Sequence, residues 1–243
     1  MQNKSTHTLI FGANGFIGSS ICESFISKGC DVVAVVRGED SIKSLSDEVK
    51  NSAQILIWDV ENMSYIPDSL KNLKIDSVCW AHGQNLNDSI YDVNIDDNVE
   101  MYKSNCTHII KSLNLLIRDS ILQKSSKLCV ISSIWQNIAR QNKLSYCVTK
   151  SALQGLVNSL AADIAKDGHL VNAILPGAIE APMTYKNLSD EQIKDIKEST
   201  NFNRLSNVED IANLTYFLCS KSNTSITGQF INVDLGFSNV KII

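Results

Sequence analysis

The chain has 243 residues, 44% of them hydrophobic and 20% charged, enough to bury a large core in one α/β unit with no second domain required. A formal charge of −4, a pI near 5.6 and scattered Lys and Arg exclude a broad nucleic-acid surface, so any phosphate recognition is local. Apolar stretches are only strand-length and the N-terminus is polar, so neither a membrane span nor a signal peptide is expected and the chain reads as cytoplasmic. Seven cysteines, an odd number with no Cys-x-x-Cys pair, argue against a disulfide framework or a metal centre; they read as small apolar fillers, Cys147 included.

Apolar runs bounded by turn residues recur at 8–11, 31–36, 54–58, 77–81, 127–131, 170–175 and 229–233, which predicts seven strands. Helical periodicity fills 16–28, 98–121, 145–166 and 208–219 between them. That alternation predicts a doubly wound, seven-stranded parallel sheet with helices on both faces, as one domain over 1–243. The most irregular stretch, 176–202, follows the sixth strand. Open α/β sheets bind ligands beyond the carboxyl ends of their strands, so this stretch is expected to be a substrate lid.

Directly after the first strand comes Gly12-Ala13-Asn14-Gly15-Phe16-Ile17-Gly18, leading into a helix. Glycines there permit a tight turn and close approach of a pyrophosphate, and the helix start offers unpaired N–H groups. The second strand ends at Arg37 with no acidic residue to hold the ribose hydroxyls of NAD, so NADP(H) is preferred and NAD(H) is the alternative. A solvated surface arginine is the competing reading. Asp59 and Val60 follow the third strand; Asp59 is expected either to accept a bond from an adenine amino group or to cap a helix.

Tyr146 and Lys150 are four residues apart, which stacks a phenol and an ammonium on one helix face. Ser133 ends the strand-like run Val130-Ile131-Ser132-Ser133. A tyrosine with a pKa of about 10 is a poor acid or base near neutrality unless a cation such as Lys150 stabilises its phenolate. His82 reads as a satisfied structural histidine, because Tyr146 already fills the acid/base post.

The ordered set Gly12/Gly15/Gly18, Asp59-Val60, Asn105, Ser133, Tyr146-x-x-x-Lys150 and Pro176-Gly177 resembles the short-chain dehydrogenase/reductase family over nearly the whole chain. The segments 203–212 and 226–236 look like the C-terminal signature of its compact single-domain branch. The resemblance implies a Rossmann-type fold, Tyr146 as general acid/base, Ser133 as partner of the substrate oxygen, Lys150 as ribose and phenolate partner, and Asn105 as holder of a water relay. It also implies a cofactor held by Gly12, Asn14, Gly15, Phe16, Ile17, Gly18, Arg37, Asp59, Val60, Ala81, Gly83, Tyr146, Lys150, Pro176, Gly177 and Ile179. The reaction implied is interconversion of a ketone and a secondary alcohol, most nearly as an NADPH-dependent 3-oxoacyl-thioester reductase.

Several positions depart from the family pattern. The glycine spacing is that of the family's extended branch, although the chain's length is that of the compact one. Trp80-Ala81-His82-Gly83 stands where Asn-Asn-Ala-Gly is usual, and Ala181 replaces a threonine expected to bond the carboxamide. Lys124 and Lys127 with Asp167 make a mixed surface for an acidic carrier protein. A keto sugar or other small polar ketone is the enzymatic alternative, suited to Gln84, Asn85, Asn87, Gln136 and Asn137. A non-catalytic dinucleotide-sensing regulator is the alternative from another class. The resemblance further implies a homo-oligomer, a tetramer or dimer, formed through the helices at 98–121 and 145–166.

Overall fold

The β-branched runs form seven strands: β1 (His7–Phe11), β2 (Asp31–Val36), β3 (Gln54–Ile57), β4 (Ile75–Trp80), β5 (Leu122–Ile131), β6 (Leu170–Pro176) and β7 (Phe230–Val233). In this computed structural model, which describes residues 6–240, they make one parallel sheet in the order β3-β2-β1-β4-β5-β6-β7. The polar N-terminal stretch 1–5, read above for targeting, lies outside the described residues. The chain winds outward from β1 to β3, then returns to β1's other side with β4. That reversal opens a crevice between the carboxyl ends of β1 and β4.

Period-two alternation decides the packing. Leu9, Phe11, Val33, Val35, Val78 and Trp80 face one side of the sheet and meet α5 (His108–Arg118) and α6 (Leu144–Asp163). Ile10, Ala34, Val36, Cys79 and Cys129 face the other and meet α1 (Phe16–Ser27) and α9 (Val208–Cys219). Each large apolar side chain so buried contributes roughly 1.5–3 kcal/mol. Cys22, Cys79, Cys106, Cys129 and Cys219 are buried free thiols within this packing, and no cluster of metal-ligating side chains occurs among the described residues.

The structure changes several expected boundaries. Strand β4 ends at Trp80, and β5 starts at Leu122, with a register shift against β4 and Ser125 at φ 60°. Two short helices, α2 (Glu39–Ile42) and α3 (Asp47–Ser52), join β2 to β3. The expected helix at 98–121 begins earlier, as α4 (Ile95–Tyr102), because Asn94 caps it by accepting from the N–H groups of Asp96 and Asp97. A π turn at Lys103–Thr107 then separates α4 from α5. The irregular stretch holds α7 (Pro182–Asn187) and α8 (Asp190–Glu198), the second started by a capping box between Ser189 and Gln192. Among the described residues no helix is long and apolar enough to cross a membrane.

Candidate active site

The glycine turn is held by close approach. Gly12 has φ +76°, and a Cβ there would stand 2.7 Å from the His82 amide nitrogen; at Gly18 a Cβ would stand 2.1 Å from the Gly12 carbonyl oxygen. Gly15 begins α1 with no side-chain cap and no acidic residue in the first turn. The amino end of α1 therefore keeps unpaired N–H groups and an unopposed dipole beside the crevice. An open cleft of about 500 Å³ flanks this turn, lined by Asn14, Gly15, Phe16, Ser19, Val208 and Glu209; it does not reach Tyr146.

At the tips of β2 and β3, Arg37 is exposed and makes no ion pair among the described residues. Val60 is fully buried. Asp59 caps no helix: its main-chain carbonyl accepts from the Asn62 and Met63 amides in a turn, and its Oδ2 accepts from Asn62 at 2.7 Å. The other oxygen, Oδ1, is buried with no partner among the described residues. It shares that state with Trp58 Nε1, His82 Nδ1 and His108 Nε2, three groups whose rings gather around Phe11 at centroid distances of 5.4 Å for Trp58 and His108 and 6.2 Å for His82. His82 is only half satisfied, since its Nε2 meets the Ser104 carbonyl at 3.1 Å while Nδ1 meets nothing. The two imidazoles lie 4.0 Å apart. Burial drives both toward the neutral form, His82 well below its ordinary value and His108 to about 4.

The strand-to-helix elements bring the chemical residues together. Ser133 follows β5 and caps a 3-10 turn at Ile134–Gln136, accepting from the Trp135 amide. Lys150 is buried on α6, donates to the Ile131 carbonyl at 3.1 Å, and places Nζ 5.6 Å from the centre of the Tyr146 ring. Asn105 sits in the π turn, with its side chain committed: Oδ1 accepts from the Gln84 amide at 2.7 Å, and Nδ2 donates to Gln84 O and Thr149 Oγ1. A Cβ on Gly83 would be 3.2 Å from Asn105 Oδ1 and 3.6 Å from Lys150 Nζ, so the loop after β4 lies against both. Ala81 continues β4 by donating to Phe11 O. Gly177, after Pro176 at the end of β6, packs against Asp234, and buried Ile179 bridges to Ser206.

Burial dominates at Tyr146 and pushes the phenol up to about 12, while the bond with Ser133 opposes it by favouring ionisation. Burial also pulls Lys150 down to about 8. Sequence reasoning passed over Lys143, the N-cap residue of α6, which is buried and stands 5.5 Å from the Tyr146 ring centre. Its place three residues before Tyr146 was the signal for it. His108 gave no such signal beyond being polar on an otherwise apolar helix face.

A family model described as Enoyl-(Acyl carrier protein) reductase matches residues 12–238. The chain belongs to the short-chain dehydrogenase/reductase family. It is an oxidoreductase acting on alcohol and ketone groups, and its relatives are named reductases and dehydrogenases. It is 27% identical over 242 residues to the 3-oxoacyl-[acyl-carrier-protein] reductase FabG of Buchnera aphidicola subsp. Acyrthosiphon pisum, with 96% of this chain and 97% of that protein covered. Among solved structures, a short chain dehydrogenase family protein from Francisella tularensis is similar at TM-score 0.83 and 24% identity, covering 97% of this chain and 99% of that one. A gluconate 5-dehydrogenase from Burkholderia cenocepacia, in complex with NADP and tartrate, is similar at TM-score 0.86 and 20% identity, covering 97% and 96%. The seven-stranded parallel sheet and single-domain architecture read from the sequence are those of this family.

Proposed function

We propose that this chain is an NADP(H)-dependent carbonyl reductase that interconverts a ketone and a secondary alcohol, with Tyr146 giving and taking the proton. The observation that carries the reading is the convergence of Ser133, Tyr146 and Lys150 beyond the carboxyl end of β5, beside a glycine turn shaped by close contacts. When bound, a reduced nicotinamide dinucleotide supplies the hydride. The residues present fit such a group: the uncapped start of α1 suits a pyrophosphate, the buried orphan Oδ1 of Asp59 suits an adenine amino group, and the unpaired Arg37 suits a 2′-phosphate. Ala81, Gly83, Pro176, Gly177 and Ile179 border the same crevice and are proposed to position the nicotinamide half, with Lys150 bonding the ribose. The NADP held by the Burkholderia structure is consistent with that choice.

Ser133 donates to the substrate oxygen and Tyr146 protonates it as negative charge develops. A phenol raised to about 12 still does this, because an alkoxide is a much stronger base. Oxidation needs the phenolate and is therefore favoured at high pH. The π turn sets Asn105 against Gly83 and Thr149, close to Lys150, and Asn105 is proposed to hold a water that returns the proton to solvent.

Two substrate types are supported by different observations. Likeness to the FabG reductases supports a 3-oxoacyl thioester. The hydrogen-bonded pairs Gln136–Asn137 and Lys143–Asn85, polar residues in the segments around Tyr146, favour a small polar ketone as the second reading. Lys124 and Lys127 lie near the amino end of β5, away from Ser133, which gives no help to carrier-protein docking. Helix α7 carries exposed Met183 and Tyr185, and α7 together with α8 is proposed to be the lid. Exposed Ile95, Val99, Tyr102, Ile110 and Ile117 on α4 and α5 support a homo-oligomer of this cytoplasmic enzyme, which light scattering tests. NADPH oxidation measured against panels of ketones and 3-oxoacyl thioesters tests the function. Turnover of at least one substrate is expected; NADPH binding with no turnover of any would identify a dinucleotide sensor instead.

A further inference from the structure

Lys143 is a buried ammonium without a counter-ion. Only 5% of the residue is exposed, yet no carboxylate oxygen lies within 4.0 Å of its Nζ among the described residues. Its hydrogen bonds go to neutral acceptors, Asn85 Oδ1 at 2.6 Å and the Leu86 carbonyl at 3.1 Å. An ammonium has three donors, so one is left over. Burying a charge this deeply is costly unless an opposite charge meets it.

The surroundings sharpen the mismatch. Lys143 holds the N-cap position of α6, where a cation opposes the helix dipole, and the first turn of α6 has no acidic residue. Arg140, half-buried three residues earlier and in no ion pair among the described residues, adds a second positive charge. The nearest compensation is Asp88, but its oxygens are bound to the amide and hydroxyl of Ser145. Burial and Arg140 both push Lys143 below its ordinary value, while Cys147 and Asp88 oppose them. The ammonium is also 5.5 Å from the centre of the Tyr146 ring, which sets it among the residues proposed to carry the chemistry.

We infer that Lys143, backed by Arg140, is the counter-ion for an acidic group on the substrate, which makes the substrate class an oxo acid or hydroxy acid with its carboxylate close to the reacting carbon. This deepens the polar-ketone reading and rests on Tyr146 marking the reacting oxygen. It assigns Lys143 a role in specificity beyond stapling the Asn85–Leu86 segment to the start of α6.

The test compares acetoacetate with methyl acetoacetate, which differ in charge but share the ketone. Calorimetric binding of each to the NADP-saturated protein is measured first, then kcat and KM for reduction of each with NADPH. A charge-assisted bond predicts that wild type binds the acid roughly 10–100-fold tighter than the ester. Lys143→Met should remove that preference, chiefly by raising KM for the acid, and Lys143→Arg should restore part of it. A loop-stapling role would weaken acid and ester alike, and that result would overturn the inference, as would equal affinity for both in wild type. Reduction of both with equal efficiency sinks the acidic-substrate assignment while leaving the reductase reading intact. Preferential binding of the acid with no turnover of either does the reverse.

Discussion

The two ends of this crevice, assigned above to nucleotide and to substrate, are built by different means. At the nucleotide end the work is done mainly by backbone, a turn packed so tightly that Gly12 and Gly18 admit no Cβ and a helix start left uncapped, with the Asp59 and Arg37 side chains at the strand tips. At the substrate end it is done by side chains, Tyr146 and Lys150 on α6 and Lys143 at its N-cap. Backbone sites recognise what all dinucleotides have in common and tolerate little change. Side-chain sites can be altered one group at a time, so specificity for the ketone resides there. Changes at the first end should therefore move affinity, and changes at the second should move turnover.

Lys150 belongs to both ends and should break that separation most strongly. Lys150→Met is expected to lower kcat/KM by about 10²–10³-fold and to weaken NADPH binding as well, measured by steady-state kinetics and fluorescence titration. Because burial holds this amine near 8, below the roughly 10.4 of an unfolded lysine, its charged form destabilises the fold fully below pH 8 and progressively less as pH rises above it. The same variant should therefore make the cofactor-free protein more stable at pH 7 by about 1–3 kcal/mol, read from denaturant unfolding. A loss of stability would show that the amine is better satisfied than its burial implies.

Gly18→Ala sharpens the comparison from the nucleotide side. Its Cβ would need the Gly12 carbonyl to retreat, so NADPH affinity should fall by roughly 10–100-fold, while turnover at saturating cofactor falls much less. Equal losses in both would mean that the turn also sets the chemistry. The pH dependence separates the two reaction directions. With the phenol near 12, alcohol oxidation should rise by about tenfold per pH unit through the neutral range, while ketone reduction stays nearly flat. The smallest effect is expected at the exposed Arg37: Arg37→Ser should weaken NADPH by roughly tenfold and leave NADH affinity almost unchanged. Equal effects on both cofactors would make Arg37 an ordinary surface residue.

The strands were legible because period-two burial writes both faces of the sheet into runs such as Leu9 to Phe11 and Val33 to Val36. The glycine turn was legible for the same local reason. The π turn was not, since nothing in Lys103 to Thr107 differs in pattern from an ordinary helical turn; it is fixed by what Asn105 bonds in space, at Gln84 and Thr149. Helices α7 and α8 were hidden by their low apolar content, though the capping box at Ser189 was a readable start signal. The raised phenol and the bare ammonium of Lys143 are tertiary facts, because desolvation depends on neighbours from elsewhere in the chain, such as Asn85, Leu86 and Ser133.

The central claim is that the Tyr146 phenol carries the proton. Single-turnover oxidation of bound NADPH by a ketone, followed in wild type and Tyr146→Phe at matched cofactor saturation, tests it most directly. The expected result is a rate reduced by about 10²–10⁴-fold with NADPH affinity unchanged. A Tyr146→Phe protein that consumes NADPH at the wild-type rate would contradict the account.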